Sequence, residues 1–334
     1  MGTIPLQVVE VFRNGSVESV HRGSIAVVDR SGKFLYFWGN PDFPTVMRSC
    51  AKPFQAMPLL ESGAADHFRL SQKEIAITTG SISGQEFQQE TVSSILEKVG
   101  LGEASLRCGT HRPFHVPTAE RLDVEGKKPS LLHNNCAGKH AGMLATCVFE
   151  KWPVETYMEP NHPLQQRISE KVSDFTGVPQ YQIPISIDGC GVPTYQVPLR
   201  NLALSFAKLT DEGSSSIMRL MECARKHPEM IAGEGRICTD LIKVTKGRVF
   251  GKIGAEGVYG ISLFEKEWGI GIKIEDGSLR GLTPTVVEVL RKLNAITERE
   301  FDLLKTYHQP KVFNYRREVV GRVRPTFDLE TTNG

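Results

Sequence analysis

The chain has 334 residues, of which 40% are hydrophobic and 23% are charged, and its formal net charge is +2. This composition is ordinary for a globular protein, and the nearly neutral charge argues against a broad nucleic-acid-binding surface. Since no apolar run reaches the roughly 20 residues that a membrane-spanning helix needs, we expect no association with a membrane.

The amino-terminal stretch Met1–Leu6 has neither the basic segment nor the apolar segment of a secretory signal. The chain contains seven cysteines, which is an odd number, and they are scattered. A secreted disulfide framework usually has an even number of cysteines at short spacings. We therefore expect a cytoplasmic protein whose free thiols are available to bind metal.

The first 40 residues predict β structure. Leu6–Phe12 is rich in valine and aromatic residues and ends at Asn14-Gly15, a strong hairpin signal, with Val17–Val20 as the answering strand. Ser24–Val28 and Phe34–Trp38 form a second predicted pair.

From about residue 50 to residue 230 the sequence mainly predicts helices. The predicted helices are Ala51–Ser62, Gln85–Val99, Gly138–Glu150, Pro163–Phe175 and Ser214–Lys226. Residues 109–130 and 178–195 are the longest irregular stretches, and long loops often carry functional residues.

Strands return towards the carboxyl end. The sequence predicts a meander of three strands, Arg248–Ile253, Val258–Phe264 and Trp268–Ile274. A helix is predicted over Thr283–Leu293, with Thr283-Pro284 at its start. Strands at both ends with helices between them predict an α+β fold, in which one antiparallel sheet is built from both chain ends and helices pack around it. We expect a single domain over residues 1–334, with a helical middle of about residues 50–245 inserted between the terminal strands.

Ser49 and Lys52 are three residues apart, which on a helix places both side chains on one face. A serine hydroxyl is a weak nucleophile until a base takes its proton, and a desolvated lysine can be that base. Because Pro53 is tolerated only near a helix start, we expect the helix to begin at about Ser49, among backbone N–H groups that can stabilise an oxyanion. The alternative interpretation is that Ser49 is an ordinary N-cap, and an isolated S-x-x-K motif is common by chance.

Two later elements extend this motif. Ser81-Ile82-Ser83 precedes a predicted helix, and Lys252-Ile253-Gly254 lies on or beside a late strand. Penicillin-binding proteins and β-lactamases carry S-x-x-K, S-D-N and K-T-G in this chain order. Taken singly, Ser81 and Ser83 are readable as helix caps and Lys252 as a solvated lysine. Taken in order with Ser49, they indicate a serine–lysine active site.

A second group of residues is based on sulfur. Cys136 and His140 are four residues apart at the start of a predicted helix, and Cys190 lies in a glycine-rich irregular stretch. Two thiolates with a histidine or a lysine would make a zinc site, although Lys139 would be an unusual ligand. No C-x-x-C pair is present, and a buried inert cysteine is the commoner case.

Two charged residues lie beside these motifs. Arg48 precedes Ser49 and could hold a substrate carboxylate bidentately, and Asp188 in its glycine-rich loop could hold an ammonium group. Each is equally readable as a partner in a local salt bridge.

Together these motifs resemble the Rhizobium etli-type L-asparaginases over nearly the whole chain. The matching segments are Arg48–Gln55, Ser81–Gly84, Asn135–His140, Asp188–Pro193 and Lys252–Val258. The resemblance implies a fold related to serine β-lactamases and glutaminases, a homodimer, and hydrolysis of L-asparagine to aspartate and ammonia.

By position, the resemblance also implies roles for individual residues. It implies the catalytic pairs Ser49 with Lys52 and Ser81 with Lys252, the zinc ligands Cys136, Lys139 and Cys190, and the substrate-binding or neighbouring residues Arg48, His140 and Asp188. We expect the zinc to orient substrate or stabilise the site without generating the attacking hydroxide.

The chain departs from the usual family pattern at three positions. Ile82, Gln85 and Ile253 stand where the family usually has His, Glu and Thr, which removes two polar groups from the neighbourhood of Ser81. Two other functions therefore stay open. One is a penicillin-binding or β-lactamase-type acyl transferase on the same scaffold, and the other is a catalytically silent protein that binds an amino acid, which Ile82 and Ile253 favour.

Overall fold

The computed structural model describes residues 4–331, so Met1, Gly2 and Thr3 of the amino-terminal stretch lie outside it. The strands in this range are β1 Leu6–Arg13, β2 Ser16–Asp29, β3 Phe34–Trp38, β4 Pro44–Val46, β5 Ile185–Ile187, β6 Pro193–Pro198, β7 Val249–Gly254, β8 Val258–Leu263, β9 Trp268–Ile274, β10 Lys311–Phe313, β11 Val319–Pro325 and β12 Glu330–Thr331. The α-helices are α1 Lys52–Gln55, α2 Met57–Glu61, α3 Ala64–His67, α4 Gln72–Ile77, α5 Glu86–Lys98, α6 Val116–Val124, α7 Ala137–Glu150, α8 Pro163–Thr176, α9 Leu199–Lys208, α10 Ser215–Lys226, α11 Ile237–Val244, α12 Leu279–Lys292 and α13 Glu298–His308.

The chain divides into two compact units, each assembled from separate segments. Unit 1 consists of Met1–Cys50, Gln196–Asp211 and Leu241–Gly334, and unit 2 consists of Ala51–Tyr195 and Glu212–Asp240. The single domain over residues 1–334 stays a prediction. No helix within residues 4–331 is both long and apolar enough to span a bilayer.

Unit 1 contains an antiparallel sheet built from strands of both chain ends. Its main path runs β10-β11-β1-β2-β9-β8-β7, with β3 beside β2 and β12 beside β3. The β1–β2 hairpin turns at Asn14 and Gly15, both at positive φ, and pairs Arg13 with Ser16. The predicted hairpin and the predicted α+β fold with a sheet from both chain ends are therefore confirmed.

Helix α9 packs directly on this sheet because glycines remove side chains from the contact. A Cβ atom built at Gly269 of β9 would overlap the carbonyl oxygen of Ala203, and one built at Gly260 of β8 would overlap the ring of Phe206. The glycines of the late strands therefore serve close packing of a helix on the sheet.

Unit 2 contains most of the helices, and several predicted boundaries are corrected there. The predicted helix Ala51–Ser62 is broken into α1 and α2, each with a proline in its first turn, where the missing N–H costs no hydrogen bond. Residues 109–130, expected to be irregular, contain α6, which also has a proline in its first turn. Residues 178–195 contain β5 and the first part of β6, which pair with each other.

In unit 1 the helix predicted to open at Thr283-Pro284 starts earlier. Helix α12 begins at Leu279, and the hydroxyl of its N-cap Ser278 accepts a hydrogen bond from the N–H of Arg280. Pro284 therefore lies inside the helix, and the proline signal placed the predicted start too late. The helix starts after Ser278 because the Ser278 hydroxyl pairs with an N–H group of the first turn that has no partner within the helix.

Helix α12 is joined to α13 by a buried carboxylate. Glu288 accepts hydrogen bonds from His308 at 2.8 Å and from Arg291 at 2.8 and 2.9 Å. Burial alone would raise the pKa of Glu288, but the hydrogen bonds from His308 and Arg291 outweigh it and lower this pKa to about 2. A carboxylate with a lowered pKa stabilises the fold above its ordinary pKa of 4.5 and ceases to do so as the pH falls towards 2.

We therefore expect Glu288→Gln to lower the free energy of unfolding at pH 7 by about 1–3 kcal/mol. The difference from the wild type should shrink as the pH falls from about 5 towards 2, because below pH 4.5 the carboxyl group takes up a proton in the unfolded chain while it stays ionised in the folded protein down to about pH 2. Urea unfolding at each pH measures both effects, and Glu120→Gln at an exposed position of α6 is the control. An equal loss of stability at pH 7 and pH 3 would contradict this role of Glu288.

Candidate active site

Unit 1 brings together three of the residues that the sequence singled out. Arg48 and Ser49 lie in the 3-10 turn Arg48–Ala51, and Arg48 has a left-handed backbone with φ of 48°. The thiol of Cys50 in the same turn donates a hydrogen bond to the carbonyl oxygen of Lys252 at 3.1 Å. Because this bond ties the turn to β7, Ser49 and Lys252 lie in the same part of unit 1.

The glycine that follows the strand lysine makes this arrangement possible. A Cβ atom built at Gly254 would lie 2.9 Å from the carbonyl oxygen of Met47, so only glycine lets β7 approach the turn so closely. Ser49 is 8% exposed, whereas Lys252 is fully buried and its Nζ donates to the carbonyl oxygen of Ile253 at 3.0 Å. The interpretation of Lys252 as a solvated strand lysine is therefore wrong.

Unit 2 places Lys52 among three oxygen atoms. This side chain is fully buried at the start of α1. Its Nζ lies 2.6 Å from the carbonyl oxygen of Gly80, 3.0 Å from that of Asn135 and 3.1 Å from the hydroxyl oxygen of Ser81. An ammonium group has three N–H donors and can donate to all three oxygens.

A neutral Lys52 would make a different set of hydrogen bonds to the same three oxygen atoms. Its two remaining N–H groups would donate to the two carbonyl oxygens, which leaves the nitrogen lone pair for the hydroxyl hydrogen of Ser81. Burial lowers the pKa of Lys52 below its usual 10.5; the thiol of Cys136 opposes this shift and the charge of Lys139 adds to it. The contact is therefore arranged for proton transfer between Ser81 and Lys52.

Close packing of α7 on α4 brings this segment together. A Cβ atom built at Gly138 in the first turn of α7 would overlap the carbonyl oxygen of Ile77, the last residue of α4. A Cβ atom built at Gly80 would overlap the carbonyl oxygen of Met230. Gly138 therefore lets the start of α7 lie against the end of α4, and Gly80 lets the residue before Ser81 lie against Met230.

The two serines of the Ser81-Ile82-Ser83 element differ in their surroundings. Ser81 lies beside Lys52, whereas the hydroxyl of Ser83 donates to the carbonyl oxygen of Ala232 at 2.8 Å and accepts from Arg236 at 3.0 Å. Ser83 therefore holds two segments of unit 2 together. Ile82, which replaces the usual family histidine, is fully buried.

Three further residues form a thiol–lysine cluster in unit 2, consisting of Cys136, Lys139 and Cys190. Cys190 lies in the hairpin turn between β5 and β6, where its sulfur accepts a hydrogen bond from Lys139 Nζ at 3.1 Å. The thiol of Cys190 donates to Cys136, which lowers the pKa of Cys136 well below its usual range, with the charges of Lys52 and Lys139 as further causes. The same hydrogen bond, together with burial, raises the pKa of Cys190.

This cluster fits a zinc ion in its donor chemistry. It offers two sulfur atoms, of which Cys136 has a lowered pKa, and one lysine nitrogen, which would have to lose the proton that it donates to Cys190 before it could bind the metal. Neighbouring sulfur and nitrogen ligands of tetrahedral zinc lie roughly 3.5 Å apart, so the Lys139–Cys190 distance of 3.1 Å needs only a small expansion. Within residues 4–331 no group of three or more His, Cys, Asp and Glu could hold a metal, and here the third donor is a lysine.

His140 is buried beside this cluster on α7. Its Nδ1 lies 2.6 Å from the hydroxyl oxygen of Tyr157, which also accepts a hydrogen bond from the N–H of Arg107. Burial lowers the pKa of His140 well below its usual value, and the charges of Lys139 and Lys52 act in the same direction. These surroundings favour the neutral imidazole, whose Nδ1 shares a hydrogen bond with the Tyr157 hydroxyl.

Asp188 opens the turn that carries Cys190. Its N–H donates to the carbonyl oxygen of Val192 at 2.9 Å, and its carboxylate accepts a hydrogen bond from the N–H of Gly189 at 2.9 Å. The side chain is half-buried. Asp188 is therefore placed by the same short loop that places Cys190.

The sequence motifs did not identify the groups that hold Lys52. These are the carbonyl oxygens of Gly80 and Asn135, and backbone oxygens leave no signature in residue type. Tyr157, which orients His140, was also missed. Gln85 stands where the family usually has Glu, and its side chain donates to Glu234 at 3.2 Å and accepts from the N–H of Glu234 at 2.9 Å.

Comparisons with known proteins complete this description. A family model described as L-asparaginase II matches residues 9–325. No curated protein sequence matches the chain.

Among solved structures, the chain is similar to Mglu in its native form, with 14% identity and a TM-score of 0.45, over 82% of this chain and 64% of Mglu. For Mglu in its tris and glutamate form the identity is 13% and the TM-score 0.46, over 82% of this chain and 59% of Mglu. For a β-lactamase from Mycobacterium bovis the identity is 11% and the TM-score 0.38, over 86% of this chain and 92% of the β-lactamase. The chain thus spans less than two thirds of the Mglu chains.

Proposed function

The chain belongs to the L-asparaginase II family, and we propose on this basis that it is an amidohydrolase that converts L-asparagine to L-aspartate and ammonia. The expected kinship with L-asparaginases is thereby confirmed at the level of the family. The Rhizobium etli type, the zinc ion and the serine–lysine mechanism remain proposals.

The observation that carries the proposal is the contact between Lys52 and Ser81 in unit 2. A fully buried lysine with a lowered pKa lies 3.1 Å from a serine hydroxyl, and two carbonyl oxygens hold its other donors. A purely structural buried lysine would be expected to pair with a carboxylate. Lys52 instead lies among two carbonyl oxygens and the Ser81 hydroxyl, with the thiol of Cys136 as a nearby ionisable group, and these surroundings suit a base that gains and loses a proton.

In the proposed reaction a serine oxygen attacks the side-chain amide carbon of asparagine and forms an acyl-enzyme. From the S-x-x-K spacing we favour Ser49 as this nucleophile and neutral Lys52 as the base that takes its proton. Ser81, which contacts Lys52, then gives its proton to the amide nitrogen, which leaves as ammonia, and takes the proton held by Lys52 in exchange, with Lys252 supporting this transfer. In the second half of the reaction Lys52 again acts as base, and water attacks the acyl-enzyme and releases aspartate.

Binding of the amino acid needs a partner for each of its charged ends. We propose Arg48 for the α-carboxylate, because a guanidinium can hold a carboxylate through two hydrogen bonds. We propose Asp188 for the α-ammonium group and the neutral His140 as a neighbouring hydrogen-bond donor. These three assignments rest on the sequence motifs and on the local surroundings of each residue.

A zinc ion, where bound, would be held by Cys136, Lys139 and Cys190. Its positive charge would keep both thiols deprotonated and would stabilise the loop around Cys190. Lys52 Nζ lies within hydrogen-bond distance of Gly80, Asn135 and Ser81, while Cys136 and Lys139 act on its pKa.

We expect removal of zinc by a chelator to lower turnover by less than about 10-fold while it lowers the melting temperature, because a structural metal stabilises the folded state. Ammonia release and thermal unfolding, measured on the metal-loaded and the chelated protein, check this. Cys136→Ser should behave like the chelated protein and should not respond to added zinc. Complete loss of turnover on chelation, restored by zinc alone, would show that the metal takes a direct part in the reaction.

The function itself is tested by ammonia release from L-asparagine, L-glutamine, D-asparagine and β-aspartyl dipeptides. We expect L-asparagine to be the best substrate. The chain lacks two polar groups that the family usually has near Ser81, so calorimetry should accompany the assay. Binding of asparagine without ammonia release would establish the silent binding protein, and turnover of nitrocefin or stable labelling by penicillin would establish the acyl transferase.

A homodimer and a cytoplasmic location complete the proposal. The mass of the protein in solution tests the first, and the distribution of the tagged full chain between cell fractions tests the second. Neither result affects the assignment of the reaction.

A further inference from the structure

We propose that His111 is a positioning residue that fixes the backbone at Asn135 and, through the Asn135 carbonyl group, the side chain of Lys52. His111 belongs to none of the five motifs and lies in the loop between α5 and α6 of unit 2. The inference rests on the proposed function, because it gives His111 a part in the same reaction.

The link consists of hydrogen bonds on both sides of Asn135. The N–H of Asn135 donates to His111 Nε2 at 2.9 Å. The carbonyl oxygen of Asn135 accepts hydrogen bonds from Lys52 Nζ at 3.0 Å and from the N–H of Ile82 at 3.1 Å. Asn135 therefore connects His111 to the lysine and to the segment that carries Ser81.

The second ring nitrogen determines how His111 acts. Nδ1 lies 2.7 Å from the carbonyl oxygen of Arg112, and because this oxygen can only accept, Nδ1 carries the proton. Nε2 then has a lone pair for the N–H of Asn135. The side-chain amide of Asn135 lies 3.3 Å from the same nitrogen, and exchanging its oxygen and nitrogen would give Nε2 a second donor.

Further contacts hold the ring in this position. The ring of His111 stacks on Phe114 with a centroid distance of 4.9 Å, and the guanidinium of Arg236 lies 5.3 Å from the Phe114 ring. The N–H of His115 donates to the carbonyl oxygen of Ser83 at 3.0 Å. The loop is therefore attached to the Ser81–Ser83 segment independently of His111, so that His111 can be replaced while the loop stays in place.

Loss of the acceptor at Nε2 would leave the N–H of Asn135 without this partner. The peptide would turn towards another acceptor, and the carbonyl group that holds Lys52 would move with it. Displacement of a catalytic group by about 1 Å can cost about 100-fold in rate. Substrate binding depends on other residues, so KM should change little.

A pair of isosteric variants tests the acceptor alone. In His111→Gln the side-chain oxygen can occupy the position of Nε2, whereas in His111→Asn the amide matches Nδ1 and leaves the Nε2 position empty. We expect kcat for L-asparagine to fall about 10- to 100-fold in His111→Asn and to stay within about 3-fold in His111→Gln. His115→Ala, which removes a ring that contacts Thr118, is the control in the same loop and should keep wild-type turnover.

Hydrogen exchange at the amide of Asn135, measured by mass spectrometry, is independent of turnover. It should be faster in His111→Asn than in the wild type and unchanged in His111→Gln. Equal kcat in both variants and the wild type, or equal loss in both with unchanged exchange, would overturn the proposal. A wild type that releases no ammonia contradicts the proposed function itself, while exchange at Asn135 still decides whether His111 fixes this peptide.

Discussion

Replacement of Lys52 by methionine should lower kcat for L-asparagine by about 100- to 10,000-fold, the range expected when a general base is lost. Methionine fills a similar volume in the fully buried position but has no nitrogen to take up a proton. The hydroxyl of Ser81, 3.1 Å from Lys52 Nζ, would also lose this partner. KM should change less than kcat, since Lys52 is not assigned to either charged end of the substrate.

Ammonia release at saturating substrate measures this effect, and circular dichroism shows whether the variant is folded. Lys73→Met on α4 is the matched control, because Lys73 is an exposed lysine of the same unit and should keep wild-type turnover. A folded Lys52→Met protein that retains more than about a tenth of the wild-type kcat would exclude Lys52 as the general base.

Replacement of Ser49 and of Ser81 by alanine should differ in the kcat that remains and in whether the acyl-enzyme forms. We expect Ser49→Ala to lower kcat by about 10,000-fold or more and to form no acyl-enzyme, as for the loss of a nucleophile. Ser81→Ala should lower kcat by about 100- to 10,000-fold, as for the loss of a proton-transfer group, while the acyl-enzyme still forms. The position of Ser81 beside a buried lysine makes it the rival nucleophile.

Intact-mass spectrometry after rapid acid quenching distinguishes the two serines, because only the nucleophile carries the acyl group. Ser83→Ala is the control, since the Ser83 hydroxyl bonds to Ala232 and Arg236 and should not affect the reaction directly. Normal turnover in Ser49→Ala combined with no acyl-enzyme in Ser81→Ala would reverse the assignment and make Ser81 the nucleophile.

Much of the fold could be predicted because its signals are local. The Asn14-Gly15 turn specifies the first hairpin, and the apolar meander of β7, β8 and β9 lies within one residue of its predicted bounds. Elements with weak local signals were missed. Strands β10 and β11 carry several charged and exposed residues. The place of β11 in the sheet depends on pairing with β1, and that of β10 on pairing with β11, which no short window reveals.

The site was predictable to the extent that it depends on residue type. Spacing and order singled out Lys52 and Ser81, which the structure brings into contact. The set of Cys136, Lys139 and Cys190 was implied by the family resemblance, and Lys139 bonds to Cys190 in the structure. The acceptors of Lys52 could not be predicted, because they are carbonyl groups that every residue has. His111 was missed for a different reason, since its effect passes through the backbone of Asn135.

The pairing of β1 with β11 has a consequence for biosynthesis. Val11 pairs with Val323 in the sheet of unit 1, so this edge of the β1–β2 hairpin stays open until β11, more than 300 residues later, has left the ribosome. Contacts this distant along the chain slow folding, and an unpaired strand edge invites association with other chains. We expect nascent chains of this protein to depend on chaperones until β11 emerges, whereas Ala51–Tyr195 of unit 2 can begin to fold earlier.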